Sequence, residues 1–514
     1  MGRFGPALAL SVFSGVLLAL SFPHYGHFAF AWIALVPLLL ALACTTSVKR
    51  AFALGFVTGT FHFTGTVYWI AQVMVEYGGL ARPVAWVVHA LLIAYLALFP
   101  ALFATVTAFL CRRFGPGALF SAPAVWVTTE LGRLYLFTGF PWELLGYSQT
   151  NFLPIAQTAS LVGVLGVSAL VILINGTIAY TVVGNRRQVW RPLGAVAVLV
   201  LASVVFGTWR LGDGVLVRAG TPLRVAALQG NVAQDDKWNP VLQDGILADY
   251  LDLTRQAASD GAELIIWPEA AAAFTFGDNP RSEAVRAVAR TTGTHLLVGS
   301  TLVTSDVDIR YYNAAIMLDP AGMTAGVYQK QHLVPFGEYV PFRQALSFVS
   351  PLVETVAGFS AGPGPRTLPV AGLPVSTAIC YEIIFPGLVR EFVESGSQLL
   401  TTITNDAWYG RSSAPHQHFQ QATMRAIEQG RFLVRAANTG ITGVIDPYGH
   451  VLARTPLFEP AMVVEDVRLL DGLTVYARIG DALAYACAAL TLLLLWVGRR
   501  ESGQYTRLKW HDSV

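Results

Sequence analysis

The chain has 514 residues, of which 54% are hydrophobic and 13% are charged, and its formal net charge is +2. Soluble domains carry roughly 25% charged residues, so this composition excludes a chain that faces only water. The small net charge and the absence of a basic tract interleaved with aromatic residues argue against nucleic-acid binding. Apolar residues are concentrated in about the first 210 positions and in a short C-terminal piece. This pattern predicts a membrane protein that carries one sizeable globular domain.

Apolar segments close to the ~20 residues needed to cross a bilayer recur along the chain. They lie at 6–22, 27–46, 51–73, 84–111, 117–131, 158–183, 193–210 and 480–498. The first could be a signal peptide, but further segments follow directly and no small-residue cleavage site stands out, so we interpret it as a helix. The sequence therefore predicts a polytopic α-helical membrane bundle of about eight spans.

Lysine and arginine residues lie in alternate connections between these segments and again after the last one. They include Lys49, Arg50, Arg112, Arg113, Arg186, Arg187, Arg191, Arg499, Arg500, Arg507 and Lys509. Because such residues mark the cytoplasmic side, we expect both termini in the cytoplasm and the polar block outside, which in a bacterial cell means the periplasm or outer face. The predicted division is 1–211 for seven transmembrane helices, 212–478 for the globular domain, and 479–514 for the last helix and a cytoplasmic tail.

The connection from Arg133 to Pro154 is aromatic and is interrupted by Gly139, Pro141 and Gly146. Non-helical backbone at membrane depth is tolerated only against protein or a cavity. Two interpretations stay open at this point. The segment is either an interfacial aromatic belt or the floor of a site shared with the globular domain.

The polar block alternates short β-rich runs with amphipathic stretches. Strands are predicted at 223–229, 264–267, 295–298, 314–318, 373–379 and 399–403, and helices at 241–258, 281–291, 386–395 and 416–430. Asp446-Pro447-Tyr448-Gly449 is predicted to be a hairpin turn. Strands and helices in alternation predict a layered α/β domain with a mixed sheet or a pair of sheets.

One cysteine lies in this polar block. Cys380 follows the predicted strand 373–379 and precedes Tyr381 and Glu382, whereas Cys44, Cys111 and Cys487 lie in or beside apolar segments. A lone cysteine at a strand end, followed by a carboxylate, is a candidate nucleophile. The alternative is a small buried hydrophobic residue, since free cysteine is among the most buried residue types.

Two other strand ends carry groups that a reactive thiol needs. Glu269 follows Trp267-Pro268, and Lys330 precedes a stretch that runs from His332 to Pro341. A carboxylate within hydrogen-bond reach can take the thiol proton. A lysine ammonium favours the thiolate and, together with a backbone N–H, stabilises the oxyanion of a tetrahedral intermediate. The combination predicts acyl transfer through a thioester.

Glu269, Lys330 and Cys380 in these settings resemble the Glu-Lys-Cys triad of the nitrilase (carbon–nitrogen hydrolase) superfamily. The membrane segments and the stretches Gly230-Asn231, Lys237-Trp238 and Asn405-Asp-Ala-Trp408-Tyr-Gly410 narrow the resemblance to the apolipoprotein N-acyltransferase family within it. The resemblance covers nearly the whole chain, with no departure at the triad positions. It implies an α-β-β-α sandwich on the periplasmic side of the membrane helices.

The resemblance also implies the reaction and its partners. An acyl group is taken from a phospholipid such as phosphatidylethanolamine and passed to the α-amino group of the S-diacylglyceryl cysteine of an apolipoprotein. Glu269 is expected to act as base, Cys380 as nucleophile, and Lys330 with the Tyr381 amide as oxyanion stabilisers. Glu338 is expected to hold Lys330, and Tyr381, Glu382, Trp238 and Trp408 to shape the pocket. We expect no cofactor and a monomeric protein.

The stretch from Leu333 to Pro365 is apolar for a soluble loop and long. We predict that it lies on the membrane surface as a mobile lid, and the alternative is a lobe packed into the domain.

His416 and His418 suggest a metal, but no third ligand is spaced nearby, so no metal is predicted. Arg425, Glu428, Arg431 and Arg435 are interpreted as a charged helix face and its continuation.

Two other functions are compatible with parts of this pattern. The first is a membrane-anchored amidase or hydrolase with the same triad and water as acceptor. The second is a transporter or scaffold whose globular domain only binds. The predicted spans carry no embedded series of charges of the kind that transport pathways use, which disfavours the second.

Overall fold

The structure is a computed structural model that describes residues 4–185, 189–277, 279–304, 309–339 and 358–500. Helices dominate up to residue 213, strands and helices then alternate up to residue 469, and helices return at the C-terminal end. The α-helices span Phe4–Ala19, Val36–Ala43, Val48–Thr66, Trp69–Glu76, Arg82–Phe114, Ala122–Tyr135, Leu153–Ala156, Ala159–Val183, Trp190–Asp213, Gln234–Lys237, Gln243–Ser259, Arg281–Thr292, Pro386–Glu394, Ala414–Gln429, Val475–Ile479 and Ala482–Arg500.

Within the described ranges, four helices are long and apolar enough to cross a membrane. They are Arg82–Phe114, Ala159–Val183, Trp190–Asp213 and Ala482–Arg500, at the predicted segments 84–111, 158–183, 193–210 and 480–498. The other four predicted segments contain shorter or interrupted helices. Segment 27–46, for example, holds a 3-10 turn, Phe28–Trp32, and then Val36–Ala43, which has a proline in its first turn. Membrane helices are therefore a feature of the chain, while the number of eight spans stays a prediction.

The alternating region forms two β-sheets. Its strands are β1 (Thr221–Gln229), β2 (Leu264–Ile266), β3 (Ala272–Thr275), β4 (His295–Thr304), β5 (Arg310–Leu318), β6 (Thr324–Gln329), β7 (Leu368–Val370), β8 (Leu373–Ile379), β9 (Leu399–Thr404), β10 (Leu433–Ala437), β11 (Gly443–Ile445), β12 (Val451–Arg454) and β13 (Ala461–Leu469). Among the described residues, one sheet has the order β13-β1-β2-β4-β5-β6 with β3 on β4, and the other has the order β12-β11-β10-β9-β8-β7. The pairs β1–β2, β2–β4, β8–β9 and β9–β10 are parallel.

The two sheets pack face to face around one apolar core, in which Val225 and Leu297 of the first sheet share a cluster with Val375 and Ile379 of the second. Helices Gln243–Ser259 and Arg281–Thr292 cover the other face of the first sheet through a separate cluster. Helix Pro386–Glu394 contacts β8 of the second sheet, and helix Ala414–Gln429 contacts β10. The order is helix, sheet, sheet, helix, so the predicted α-β-β-α sandwich is confirmed.

Helix Ala414–Gln429 lies between the second sheet and the membrane helices. Ala422 and Ala426 pack into the sandwich core, whereas Met424 and Ile427 pack into the core of the membrane helices. The helix is therefore covered on both sides, which fixes the position of the sandwich on the bundle.

The residues predicted to form a charged helix face and its continuation, Arg425, Glu428, Arg431 and Arg435, are all buried. Arg425 donates to the Tyr147 hydroxyl at 3.0 Å. Glu428 Oε1 accepts the Val164 main-chain N–H at 2.7 Å. Helical spacing separates polar from apolar positions, but it cannot distinguish water from the polar groups of a second domain.

Candidate active site

The three predicted chemical groups follow three strands of the sandwich. Glu269 lies shortly after β2, Lys330 directly after β6, and Cys380 directly after β8. Strand β2 is parallel to both of its neighbours, β1 and β4, and β8 is parallel to β9. The polypeptide therefore leaves both strands at sheet edges where polar groups from several strands meet. Cys380 has a left-handed backbone with φ +53°, which turns the chain sharply out of β8. All three side chains are buried.

The Lys330 ammonium is held by two carboxylates. It lies 2.9 Å from Glu338 Oε1 and 3.7 Å from Glu269 Oε1. Burial by itself lowers the pKa of Lys330, but the charges of Glu338 and Glu269 raise it above its ordinary value. Lys330 is therefore a permanent cation in this site and cannot act as the base.

The residue Cys380 is 6% exposed. Burial raises its pKa to about 12, and the Glu269 charge adds to that rise while the Lys330 ammonium opposes it. Both charged partners thus act on the sulfur, with opposite signs. The resting group is a neutral thiol, which needs a base to remove its proton as it attacks.

Glu269 is fixed in orientation by donors on both carboxylate oxygens. Asn313 Nδ2 donates to Oε1 at 2.7 Å, and the Asn405 main-chain N–H donates to Oε2 at 2.9 Å. Asn313 Nδ2 also donates to Glu338 Oε1 at 2.9 Å, so a single amide nitrogen joins the two carboxylates around Lys330. A base held in this way needs no reorganisation before it takes a proton.

Sequence reasoning missed Asn313 and Lys237 as site residues. Asn313 is a buried polar side chain in the middle of the apolar strand β5, and that contrast was an available signal. Lys237 is 2% exposed and donates from Nζ to the Glu269 main-chain oxygen at 2.9 Å. Burial lowers the pKa of Lys237 to about 8, while Glu269 and Cys380 raise it. In the sequence, Lys237 was noted only as part of the stretch Lys237-Trp238, and no role was assigned to it.

Glu382 ties two of the strand ends together. Its Oε1 accepts from the Tyr328 hydroxyl at 2.8 Å and from the main-chain N–H groups of Gln331 and His332 at 2.7 and 3.0 Å. Its Oε2 accepts the Ile379 main-chain N–H at 2.8 Å. The carboxylate therefore joins the end of β6, next to Lys330, to the end of β8, next to Cys380. The expected role of Glu382 in shaping the pocket stays a prediction.

The other predicted supporting residues have different positions. Tyr381 is buried, and its hydroxyl donates to the Gly139 main-chain oxygen at 3.2 Å. Trp408 is 37% exposed and its ring contacts that of Tyr77, with centroids 5.0 Å apart. Trp238 is 47% exposed. Both tryptophans lie near the sequence positions of site residues, but neither has a described contact with the three central side chains.

The aromatic connection between Arg133 and Pro154 lies against this end of the sandwich. Besides the Gly139 contact, Trp142 is fully buried and donates from Nε1 to Gln417 Oε1 at 2.8 Å. The Trp142 ring lies 5.5 Å from the His418 ring, centroid to centroid. Of the two interpretations left open by the sequence, these contacts favour the one in which the connection is shared with the globular domain.

Two further sequence predictions concern the segment 333–365 and metal binding. The predicted lid at 333–365 falls mostly on residues 340–357, which lie outside the described residues. Within the described ranges, no group of three or more His, Cys, Asp or Glu side chains is arranged to hold a metal ion. His418 contacts protein groups through both ring nitrogens, and the His416 ring packs on that of His24.

Comparison with known families gives two matches along the chain. The Carbon-nitrogen hydrolase model matches residues 224–471, and the Apolipoprotein N-acyltransferase N-terminal domain model matches residues 14–177. Together with the sandwich and the membrane helices, these matches define a membrane-anchored enzyme of the carbon–nitrogen hydrolase class.

Curated relatives narrow this class. Apolipoprotein N-acyltransferase of Geobacter metallireducens is 44% identical over 491 residues, covering 93% of this chain and 93% of the relative. Its counterpart in Methylococcus capsulatus is 37% identical, covering 96% of this chain and 97% of the relative. A solved amidase from Nesterenkonia sp. is 23% identical with a TM-score of 0.38, over 52% of this chain and 97% of the amidase. The chain belongs to the apolipoprotein N-acyltransferase family, which confirms the resemblance seen in the sequence.

Proposed function

We propose that this protein transfers a fatty acyl group from a membrane phospholipid to the α-amino group of the S-diacylglyceryl cysteine at the N-terminus of an apolipoprotein. The observation that carries the proposal is the arrangement of Glu269, Lys330 and Cys380 at three strand ends, in a chain of this family. An acyl transferase needs a nucleophile, a base and a cation at one place. The family membership argues for an amine rather than water as the acceptor.

In the first half-reaction, Glu269 takes the Cys380 proton as the sulfur attacks the ester carbonyl of the phospholipid. The Lys330 ammonium and the Tyr381 main-chain N–H stabilise the oxyanion that forms. When the intermediate collapses, the C–O bond of the ester breaks and the proton on Glu269 passes to the leaving alkoxide. The products are a lysophospholipid and a thioester on Cys380.

In the second half-reaction, the free α-amino group attacks the thioester carbonyl. Glu269 accepts a proton from the attacking nitrogen, the C–S bond breaks, and the proton returns to the Cys380 sulfur. The product is an amide, and the enzyme recovers its starting protonation state. Neither half-reaction requires a cofactor.

The membrane arrangement is part of the proposal. Residues 1–211 form seven spans, 212–478 the catalytic domain, and 479–514 the last span and a tail. The domain lies on the periplasmic side of the bacterial inner membrane, with both termini in the cytoplasm. Close packing of helix Ala414–Gln429 on the membrane helices supports a site at the bilayer surface, where both lipidated substrates arrive by lateral diffusion. We also propose that the protein acts as a monomer and that phosphatidylethanolamine is a donor.

The function is tested with purified protein in vesicles that contain phosphatidylethanolamine with a labelled acyl chain, together with a diacylated lipopeptide. The proposed function predicts labelled amide on the lipopeptide and lysophospholipid in equal amounts. The hydrolase alternative predicts labelled free fatty acid with or without the lipopeptide. Cys380→Ala is the control and is expected to form neither product.

A further inference from the structure

A buried histidine lies directly behind the proposed nucleophile and has no part in the mechanism above. His418, on helix Ala414–Gln429, is fully buried, and its Nε2 is 3.1 Å from the Cys380 main-chain oxygen. A main-chain oxygen can only accept a hydrogen bond, so this contact requires a hydrogen on Nε2.

The other ring nitrogen is set by two charged neighbours. His418 Nδ1 is 3.0 Å from Arg435 Nη2 and 3.1 Å from Asp406 Oδ1. The same Arg435 Nη2 donates to Asp406 Oδ2 at 2.7 Å, and the Thr404 hydroxyl donates to Asp406 Oδ1 at 2.9 Å. All of these side chains are buried, so the network is isolated from water.

These contacts place a hydrogen on Nε2 and make opposite demands on Nδ1. A guanidinium only donates and a carboxylate only accepts, so Arg435 favours a lone pair on His418 Nδ1 and Asp406 favours an N–H there. The hydrogen bond to the Cys380 oxygen is made by the neutral Nε2–H tautomer and by the imidazolium, and it is lost only in the neutral Nδ1–H tautomer. Burial and the Arg435 charge lower the pKa of His418, which favours the neutral ring.

The histidine acts on a peptide group that has a proposed catalytic role at its other end. The Cys380 oxygen and the Tyr381 N–H belong to one planar trans peptide, in which C=O and N–H point in opposite directions. A donor that fixes the oxygen behind the strand end therefore fixes the N–H on the opposite side. The left-handed backbone of Cys380 is unfavourable for a residue with a Cβ, so this orientation needs support from its surroundings.

We propose that His418, which donates from Nε2 to the Cys380 main-chain oxygen, is a positioning residue that aims the Tyr381 N–H at the oxyanion. The proposal rests on the proposed function, in which that N–H stabilises the tetrahedral intermediate on Cys380. His418 touches neither substrate nor sulfur, and it acts through the main chain. It should therefore affect acylation, which forms an oxyanion, more than alkylation of the same thiol, which does not.

The test compares four variants with the unchanged protein by two rates at Cys380: acyl-adduct formation from phospholipid vesicles and alkylation by iodoacetamide. Both rates are measured by mass spectrometry of the cysteine peptide. His418→Leu removes the donor, and His418→Asn offers its amide near the Nδ1 position. His418→Gln can place an amide N–H near the Nε2 position. His416→Leu, on the same helix but outside the network, is the matched control.

Removal of one oxyanion donor costs about 10²-fold or more in rate. We expect that loss of adduct formation in His418→Leu and His418→Asn, an alkylation rate within about threefold of the unchanged protein, and recovery of most of the acylation rate in His418→Gln. The control should match the unchanged protein in both rates. Unchanged acylation in His418→Leu, or equal losses in both rates, would overturn the positioning role.

A second measurement reads the hydrogen on Nε2 in the unchanged protein. In protein with ¹⁵N-labelled histidine, the spectrum should contain a His418 Nε2 signal with an attached proton, assigned by its loss in His418→Gln. An Nε2 without a proton at neutral pH would overturn the hydrogen bond on which the positioning role depends. If the unchanged protein forms no adduct on Cys380, the proposed function fails. If it does so and His418→Leu is equally fast, only this inference fails.

Discussion

The Lys330 ammonium lies 2.9 Å from Glu338 Oε1. The pair is buried, so each group needs the other to offset the cost of leaving water. Glu269, the proposed base, lies farther from the same ammonium, at 3.7 Å. Glu338 therefore holds the cation without tying up the base.

The Lys330–Glu338 pair gives the first prediction. In Glu338→Ala, Lys330 loses its nearer partner and is expected to pair with Glu269, which makes that carboxylate a poorer base. Glu338→Gln keeps an acceptor for Lys330 and should be affected less. We expect adduct formation on Cys380 to fall by about 10²-fold or more in Glu338→Ala, in the range of a lost acid–base contribution. A Glu338→Ala protein with an unchanged acylation rate would show that the pair is only structural.

The charges around Cys380 give a second prediction, in which loss of the Glu269 charge and loss of the Lys330 charge change the thiol pKa in opposite directions. Glu269→Gln removes a charge that raises the thiol pKa, and Lys330→Met removes one that lowers it. Alkylation of Cys380 by iodoacetamide at pH 9 should therefore be about tenfold faster in the first variant and slower by a similar factor in the second. Acyl-adduct formation from phospholipid should be abolished in both. If Glu269→Gln retained normal adduct formation, Glu269 would not be the base.

The thiol itself gives a pH prediction. Because burial raises the Cys380 pKa from 9.0 to about 12, the thiolate fraction should increase about tenfold for each pH unit between 7 and 10. Alkylation of the Cys380 peptide should follow this increase without levelling off near pH 9. A short peptide with a free cysteine, alkylated in the same tube, should level off there. A plateau for Cys380 at or below pH 9 would contradict the buried neutral thiol.

Asn313 gives a prediction that separates geometry from charge. Asn313→Asp keeps the shape of the side chain but replaces the amide between Glu269 and Glu338 with a third carboxylate. Like charges at such distances disfavour ionisation, so we expect lower thermal stability and a larger loss of adduct formation than in Asn313→Ala. Equal effects in the two variants would mean that only the packing at this position matters.

The positions of Glu269 and Cys380 were predictable because both residues follow short, strongly apolar strands. The predicted strand 373–379 coincides with β8, and 264–267 differs from β2 by one residue. A polar group after such a run is conspicuous, which is why Glu269 and Cys380 stood out. Lys330 was placed at a strand end, but the bounds of β6 were not predicted, because Thr324 and Gly326 weaken its β pattern. The strand is stabilised by pairing with β5.

The parts that could not be predicted depend on contacts between distant segments. Burial of Arg425 and Glu428 requires the membrane helices that lie on the other side of their helix. The brace formed by Glu382 requires that β6 and β8 end at the same place. Periodicity and composition describe one segment at a time, so they contain no information about these partners. The catalytic roles of Glu269, Lys330 and Cys380 stay predictions that experiments must test.

The central claim is that Cys380 carries the acyl group between donor and acceptor. The most direct measurement is mass spectrometry of the Cys380 peptide after the purified protein is incubated with a phospholipid of known acyl chains and no acceptor. We predict a thioester-linked mass increase equal to one acyl chain, which disappears when a diacylated lipopeptide is added and its amide product appears. An unmodified Cys380, or a Cys380→Ala protein that still acylates the lipopeptide, would contradict the account.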